Sequence, residues 1–104
     1  MIITTTENIH GKEVKEVLGI VRGNTIQSRH VGRDIMAGLK TIVGGEIKSY
    51  TAMISKARDE AISRMTEEAK KLGADAIIMT RFSTSSVMPQ AAEVLVYGTA
   101  VKLG

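Results

Sequence analysis

Hydrophobic residues recur along this chain with two different periods. Between Glu46 and Leu72 they fall at Tyr50, Met53, Ile54, Ala57, Ala61, Met65, Ala69 and Leu72. Steps of three and four draw one stripe along a helix. Lys56, Asp59, Ser63, Glu67 and Lys70 lie opposite it. Glu46 at the start and Lys70-Lys71 at the end suit the helix macrodipole. Glu60/Arg64, Arg64/Glu68 and Glu67/Lys71 offer ion pairs at i,i+4. Gly73 predicts the stop, because glycine accepts the left-handed conformation that closes a helix.

Elsewhere the pattern is that of strands. Ile2 to Thr5 reads as a short strand, and Asn8 to Lys12 as a turn. Glu13 to Gln27 reads as a second strand through Val14, Val17, Leu18, Ile20, Val21, Thr25 and Ile26. Gly19 and Gly23 interrupt it, which predicts a bulge or a close backbone approach. Ser28 can cap a further helix carrying Val31, Ile35, Leu39, Ile42 and Val43, weakened by Gly32 and Gly38 and ended by Gly44-Gly45. Strands follow at Ala76–Ser83 and Glu93–Leu103. Residues 83–91, with Pro89, read as a loop. The order β-β-α-α-β-β, without regular βαβ alternation, predicts a single α+β domain over residues 1–104, its long helix packed on a mostly antiparallel sheet.

The last strand is apolar on both sides: Val94, Val96 and Ala100 on one, Leu95, Tyr97, Val101 and Leu103 on the other. A strand with one solvated face would alternate with polar residues. Two helices can cover two faces. A second copy of the chain can do so as well, and a homo-oligomer is the expectation preferred here.

Composition narrows the chemistry. Cysteine is absent, which removes disulfides, thiol nucleophiles and cysteine-based metal sites. Neither a signal-peptide pattern nor a membrane-length apolar run occurs, so a soluble, cytoplasmic protein is expected, with no membrane partner. The net charge is +3, but its 14 basic residues are scattered among 11 acidic ones and only three aromatics accompany them. That is a poor match to a nucleic-acid surface, and no nucleic-acid partner is expected.

Five features carry candidate chemistry. Arg58 and Glu68 fall within the apolar stripe of the long helix. On the strands Arg22 shares its phase with Leu18 and Ile20, and Arg81 with Ile77 and Met79. Charges placed among apolar groups need partners, and Glu46, Asp34 and Glu68 are candidates. These guanidinium groups can grip a small anion, or they can form structural ion pairs at subunit interfaces, the commoner use. His10 and His30 share no ligand motif, so they are weak metal candidates; a turn residue and a helix-start residue explain them better. Gly44-Gly45-Glu46 lacks the phosphate-loop pattern and reads as helix punctuation. Ser83 to Ser86 contains no nucleophile elbow. The six methionines are spaced as core filler. An enzyme is the least supported class, and no catalytic residue or cofactor is predicted.

One combination of residues resembles a known family. Val17-Leu18-Gly19-Ile20-Val21-Arg22-Gly23 is followed by Arg33-Asp34-Ile35 with Gly38-Leu39, then Gly44-Gly45-Glu46, Tyr50-Thr51, Ala57-Arg58, Ala61 and Met65. Ala69, Leu72-Gly73-Ala74-Asp75-Ala76 and Arg81-Phe82 complete it. Together they resemble the YbjQ-like family over nearly the whole chain. The resemblance implies a dodecin-like fold and a ring-shaped homo-oligomer, a pentamer. The family's heavy-metal-binding label implies metal ligands, for which this chain offers His10, His30 and carboxylates. Arg22, Arg33, Glu46, Tyr50 and Arg58 match the family pattern. The resulting expectation is a homo-oligomeric binding or scaffold protein with Arg22, Arg33, Glu46, Tyr50, Arg58 and Arg81 as candidate contacts to a small anionic ligand at subunit boundaries. A metal-binding protein is the alternative.

Overall fold

The structure, a computed structural model, describes residues 1–28, 45–88 and 91–104. Strand β1 spans Ile2–Ile3, β2 Val14–Ser28, β3 Ala76–Met88 and β4 Ala91–Leu103. Helix α1 spans Gly45–Lys71 between β2 and β3. The sheet order is β1-β3-β4-β2. Its two long pairings, β3 with β4 and β4 with β2, are antiparallel, while β1 joins β3 in parallel. The protein is thus α+β, with one helix on a four-stranded mixed sheet among the described residues. The expected helix between Ser28 and Val43 lies outside the described residues.

Helix α1 forms where the apolar stripe predicts it. Ala57, Ala61, Met65 and Ala69 are fully buried, and they pack on Val21, Ile77, Val94, Val96 and Ala100. Three of these four helix residues are alanine, so the helix backbone comes very close to β2. At Gly23 an added Cβ would sit 2.0 Å from the Ala61 carbonyl oxygen and 2.5 Å from the Met65 nitrogen. Only glycine fits such a gap. Thr25 beside it donates a buried 3.0 Å hydrogen bond to the Ala57 carbonyl. The helix ends on Gly73, whose φ is +77°. The Gly73 amide bonds the Lys70 carbonyl and the Ala74 amide the Ala69 carbonyl. That pair of bonds is the Schellman closure, and it satisfies carbonyls the helix would otherwise leave open.

The expected charge pairs on the helix differ in spacing. Lys70 pairs with Glu67 and Lys71 with Glu68, both at i,i+3. Arg64 leaves the helix surface instead and donates to the Asn24 carbonyl on β2. Leu72, assigned to the stripe, is exposed, because the chain turns at Gly73 just beyond it.

Among the described residues, the opposite face of the sheet is covered only at its base. There Ala76, Ile78 and Val101 are buried with Ile9, Val14 and Leu103 packed against them. The Ile9–Lys12 turn supplies part of this cover. Lys12 donates to the Ile9 carbonyl and Gly11 has φ +78°, as a type II turn requires. Higher on the same face, Ile20 is 80% and Ile26 61% exposed.

Residues 83–91, read as a loop, belong largely to strands. Pairing of β3 with β4 continues through Ser86↔Ala92 to Met88↔Ala91. The polar run misled because residues 81–86 of β3 are exposed throughout. A strand exposed on both faces carries serine and threonine without being a loop. Among the described residues no helix is long and apolar enough to cross a membrane.

Candidate functional site

Two bulges decide where the candidate arginines stand. On β2 the register with β4 shifts between Val17 and Gly19, and Gly19 has φ +133°. On β3 it shifts between Ile78 and Arg81, and Met79 has φ +56°. A bulge inserts one residue and turns every later side chain to the other face. After the shifts, Arg22 and Arg81 both stand opposite Tyr97 of β4. The phases read from sequence are therefore corrected. Ile77 is buried under the helix while Arg81 is exposed on the far face, and Leu18 packs on the helix-side core while Arg22 is exposed with Ile20.

Arg81 is held from behind. Its Nη1 donates to the Thr5 and Thr80 carbonyls, each at 2.9 Å. The Thr5 carbonyl is in place because residues 4–6 run on beyond β1 along β3: the Thr80 amide bonds the Thr4 carbonyl and the Met79 amide the Thr6 carbonyl. Neither Arg22 nor Arg81 has a carboxylate partner among the described residues. The acid on this face is Glu93, and Asn24 donates to it at 3.3 Å.

Of the remaining candidates, Arg58, Glu68 and His10 stand apart from this row. Arg58 is exposed on α1, not buried within its stripe, and Glu68 is engaged by Lys71. Glu46 and Tyr50 lie in the first two turns of α1. Arg33, His30 and Asp34 lie outside the described residues. His10 is exposed in its turn, and no three His, Cys, Asp or Glu side chains converge among the described residues. A groove of about 710 Å³ follows β2 beside the helix, with Arg22, Arg64 and Lys71 on its walls together with Glu67 and Glu68.

Tyr97 was read from sequence as an apolar residue of the last strand and not as a candidate ligand contact. Its being one of only three aromatics was the available signal. Its pairing with two arginines depends on bulges that the apolar pattern does not mark.

Among the described residues, a helix on one face of a mixed sheet and a row of two arginines on the other define a small α+β protein. The family model described as "Putative heavy-metal-binding" matches residues 1–104, and the chain belongs to that family, known also as UPF0145. A UPF0145 protein of Thermosipho africanus is 64% identical over 103 residues, covering 99% of this chain and 95% of the relative. Relatives from Archaeoglobus fulgidus, at 61%, and Thermotoga maritima, at 60%, also match 99% of this chain and cover 95% and 97% of their own. A crystal structure of a DUF74-family protein of unknown function from Pediococcus pentosaceus shares the fold with TM-score 0.68. The match covers 100% of this chain and 98% of that one at 20% identity.

Proposed function

We propose that this chain is a homo-oligomeric binding or scaffold protein that holds a small anionic ligand near its subunit boundaries. The observation that carries this reading is the sheet face opposite helix α1, on which exposed Ile20, Ile26 and Tyr97 lie with Arg22 and Arg81, neither of which has a carboxylate partner among the described residues. Large apolar side chains interleaved with arginine on one exposed sheet face are the composition an interface uses. A dodecin-like arrangement closing into a pentameric ring in the cytoplasm is the form proposed, following the resemblance of its sequence. Sedimentation equilibrium and native mass spectrometry test it. The expected mass is five times the 11.2 kDa of one chain. A monomer at micromolar concentration overturns the reading.

The family description suggests a heavy-metal ion instead. The donors present among the described residues do not suit one: cysteine is absent, and His10 stands apart from any carboxylate cluster. Titration with zinc, copper and nickel is expected to show no uptake at micromolar metal. Stoichiometric uptake would replace the anion reading.

A further inference from the structure

We propose that Arg22, Tyr97 and Arg81 form a binding site for a free oxyanion, a phosphate or carboxylate group, assembled by the two β-bulges. The proposal rests on the anion-binding part of the function above and assigns it to one row of residues.

The register shows how the row is made. Counted on without its bulge from Val17↔Val101, β2 would bring Arg22 opposite Val96. Counted on from Ile78↔Thr99, β3 would bring Arg81 opposite Val96 as well. Val96 is fully buried against the helix side. Arg22 would then take the place of buried Gly23 against the helix, at a prohibitive desolvation cost, and Arg81 would take the place of half-exposed Phe82 on the helix side. One inserted residue in each flanking strand turns both outward onto Tyr97. The two insertions are independent in sequence and converge on the same β4 residue.

The second insertion is made at a conformational cost. Met79 adopts a left-handed backbone that side-chain-bearing residues rarely take. Such outliers persist where the surrounding structure over-determines them, and they cluster at functional sites. Here the surroundings are the N-terminal residues 4–6, which bond the Met79 and Thr80 amides and, through the Thr5 carbonyl, fix Arg81. Neutral carbonyls orient the guanidinium without cancelling its charge. Only Nη1 is used, so Nη2 and Nε have no partner among the described residues.

The result suits an oxyanion. Arg22 and Arg81 flank Tyr97 on one face of the sheet, two strand spacings or about 10 Å apart at the backbone. Arg81, whose Nη1 is held by the Thr5 and Thr80 carbonyls, would meet a ligand through Nη2 and Nε. Each presents a planar fork matched to two oxygens of a phosphate or carboxylate. Tyr97, 40% exposed on the strand between them, carries a hydroxyl that can serve as a third donor. Glu93, which would repel an anion, pairs two rows away opposite Ile26 and is engaged by Asn24, and Glu67 and Glu68, which share a groove with Arg22, are paired with Lys70 and Lys71.

Calorimetric titration of the full chain with inorganic phosphate, at ionic strength held constant with chloride, tests the site. Wild-type protein is expected to bind, and Arg22→Gln and Arg81→Gln to weaken binding at least tenfold. Lys56→Gln, an exposed helix cation outside the row, should leave it unchanged. Absence of binding by wild type, or equal weakening in Lys56→Gln, overturns the proposal. A measurement without variants guards against misfolding. Phosphate should protect Arg22 and Arg81 of wild type from phenylglyoxal, read by peptide mass, and equal labelling with and without phosphate overturns it. Sedimentation of the same samples separates the two readings. A monomer that binds phosphate through this row supports the site and removes the assembly; an oligomer without protection removes the site alone.

Discussion

At Gly23 one hydrogen atom in place of a methyl group sets the distance between helix and sheet. The Ala61 carbonyl and the Met65 nitrogen belong to the helix backbone and cannot rotate away. Gly23→Ala should therefore destabilise the fold by about 3 kcal/mol, at or above the usual overpacking range. Urea unfolding followed by circular dichroism measures it. Thr25→Val, two residues on, keeps the volume and removes only the hydrogen bond to the Ala57 carbonyl. A loss of about 1 kcal/mol is expected, because that carbonyl lies within the helix ladder and is not orphaned. Met79 reports the opposite kind of constraint. Met79→Val places a β-branched side chain in the left-handed region and should cost about 1–2 kcal/mol.

At the scale of elements, what repeats along the chain was legible and what depends on a neighbour was not. Helix α1 was expected at Glu46–Leu72 and spans Gly45–Lys71, because its buried face is written by alanine and methionine at helical spacing. Its closure was legible in Gly73, and Gly73→Ala should cost about 1 kcal/mol by forcing a side chain into φ +77°. Gly19 and Gly23 marked a bulge and a close approach, and the structure shows one of each. The β3 bulge carries no glycine at its left-handed position, so nothing in the sequence announces it. That single unmarked residue reversed the phase assigned to Arg81 and hid its meeting with Tyr97. Arg22 was misread for the same reason, since periodicity counted across Gly19 loses one residue. The extended hairpin was missed because strand exposure on both faces resembles a loop in composition.

The whole molecule is longer than its size requires. Its radius of gyration is 16.8 Å and its extents are 54 × 25 × 18 Å, whereas a compact chain of this length has a radius of about 13 Å. Residues 81–86 of β3 are exposed beside the helix-covered strand β4, whose Val94 and Val96, the partners of Thr84 and Phe82, are fully buried. Phe82, turned to the helix side but 47% exposed, lies in that stretch. An elongated sheet with apolar residues on its open face gains stability by burial against further copies, and that gain depends on concentration. The proposed assembly therefore predicts a melting temperature that rises as protein concentration increases from about 1 to 100 µM, beyond the ligand-free shift of a monomer, which is zero by mass action. Ile20→Lys with Ile26→Lys places two charges on the open face without touching the helix-side core. The double variant should sediment as a smaller species and lose the concentration dependence, while its far-ultraviolet circular dichroism stays that of the wild type. Arg22→Gln tests the boundary between assembly and site, since Arg22 pairs with Tyr97 on the same face as Ile20. If its sedimentation matches wild type while phosphate binding is lost, the apolar residues hold the copies together and the arginine serves the ligand. If the assembly dissociates instead, the guanidinium belongs to the seam.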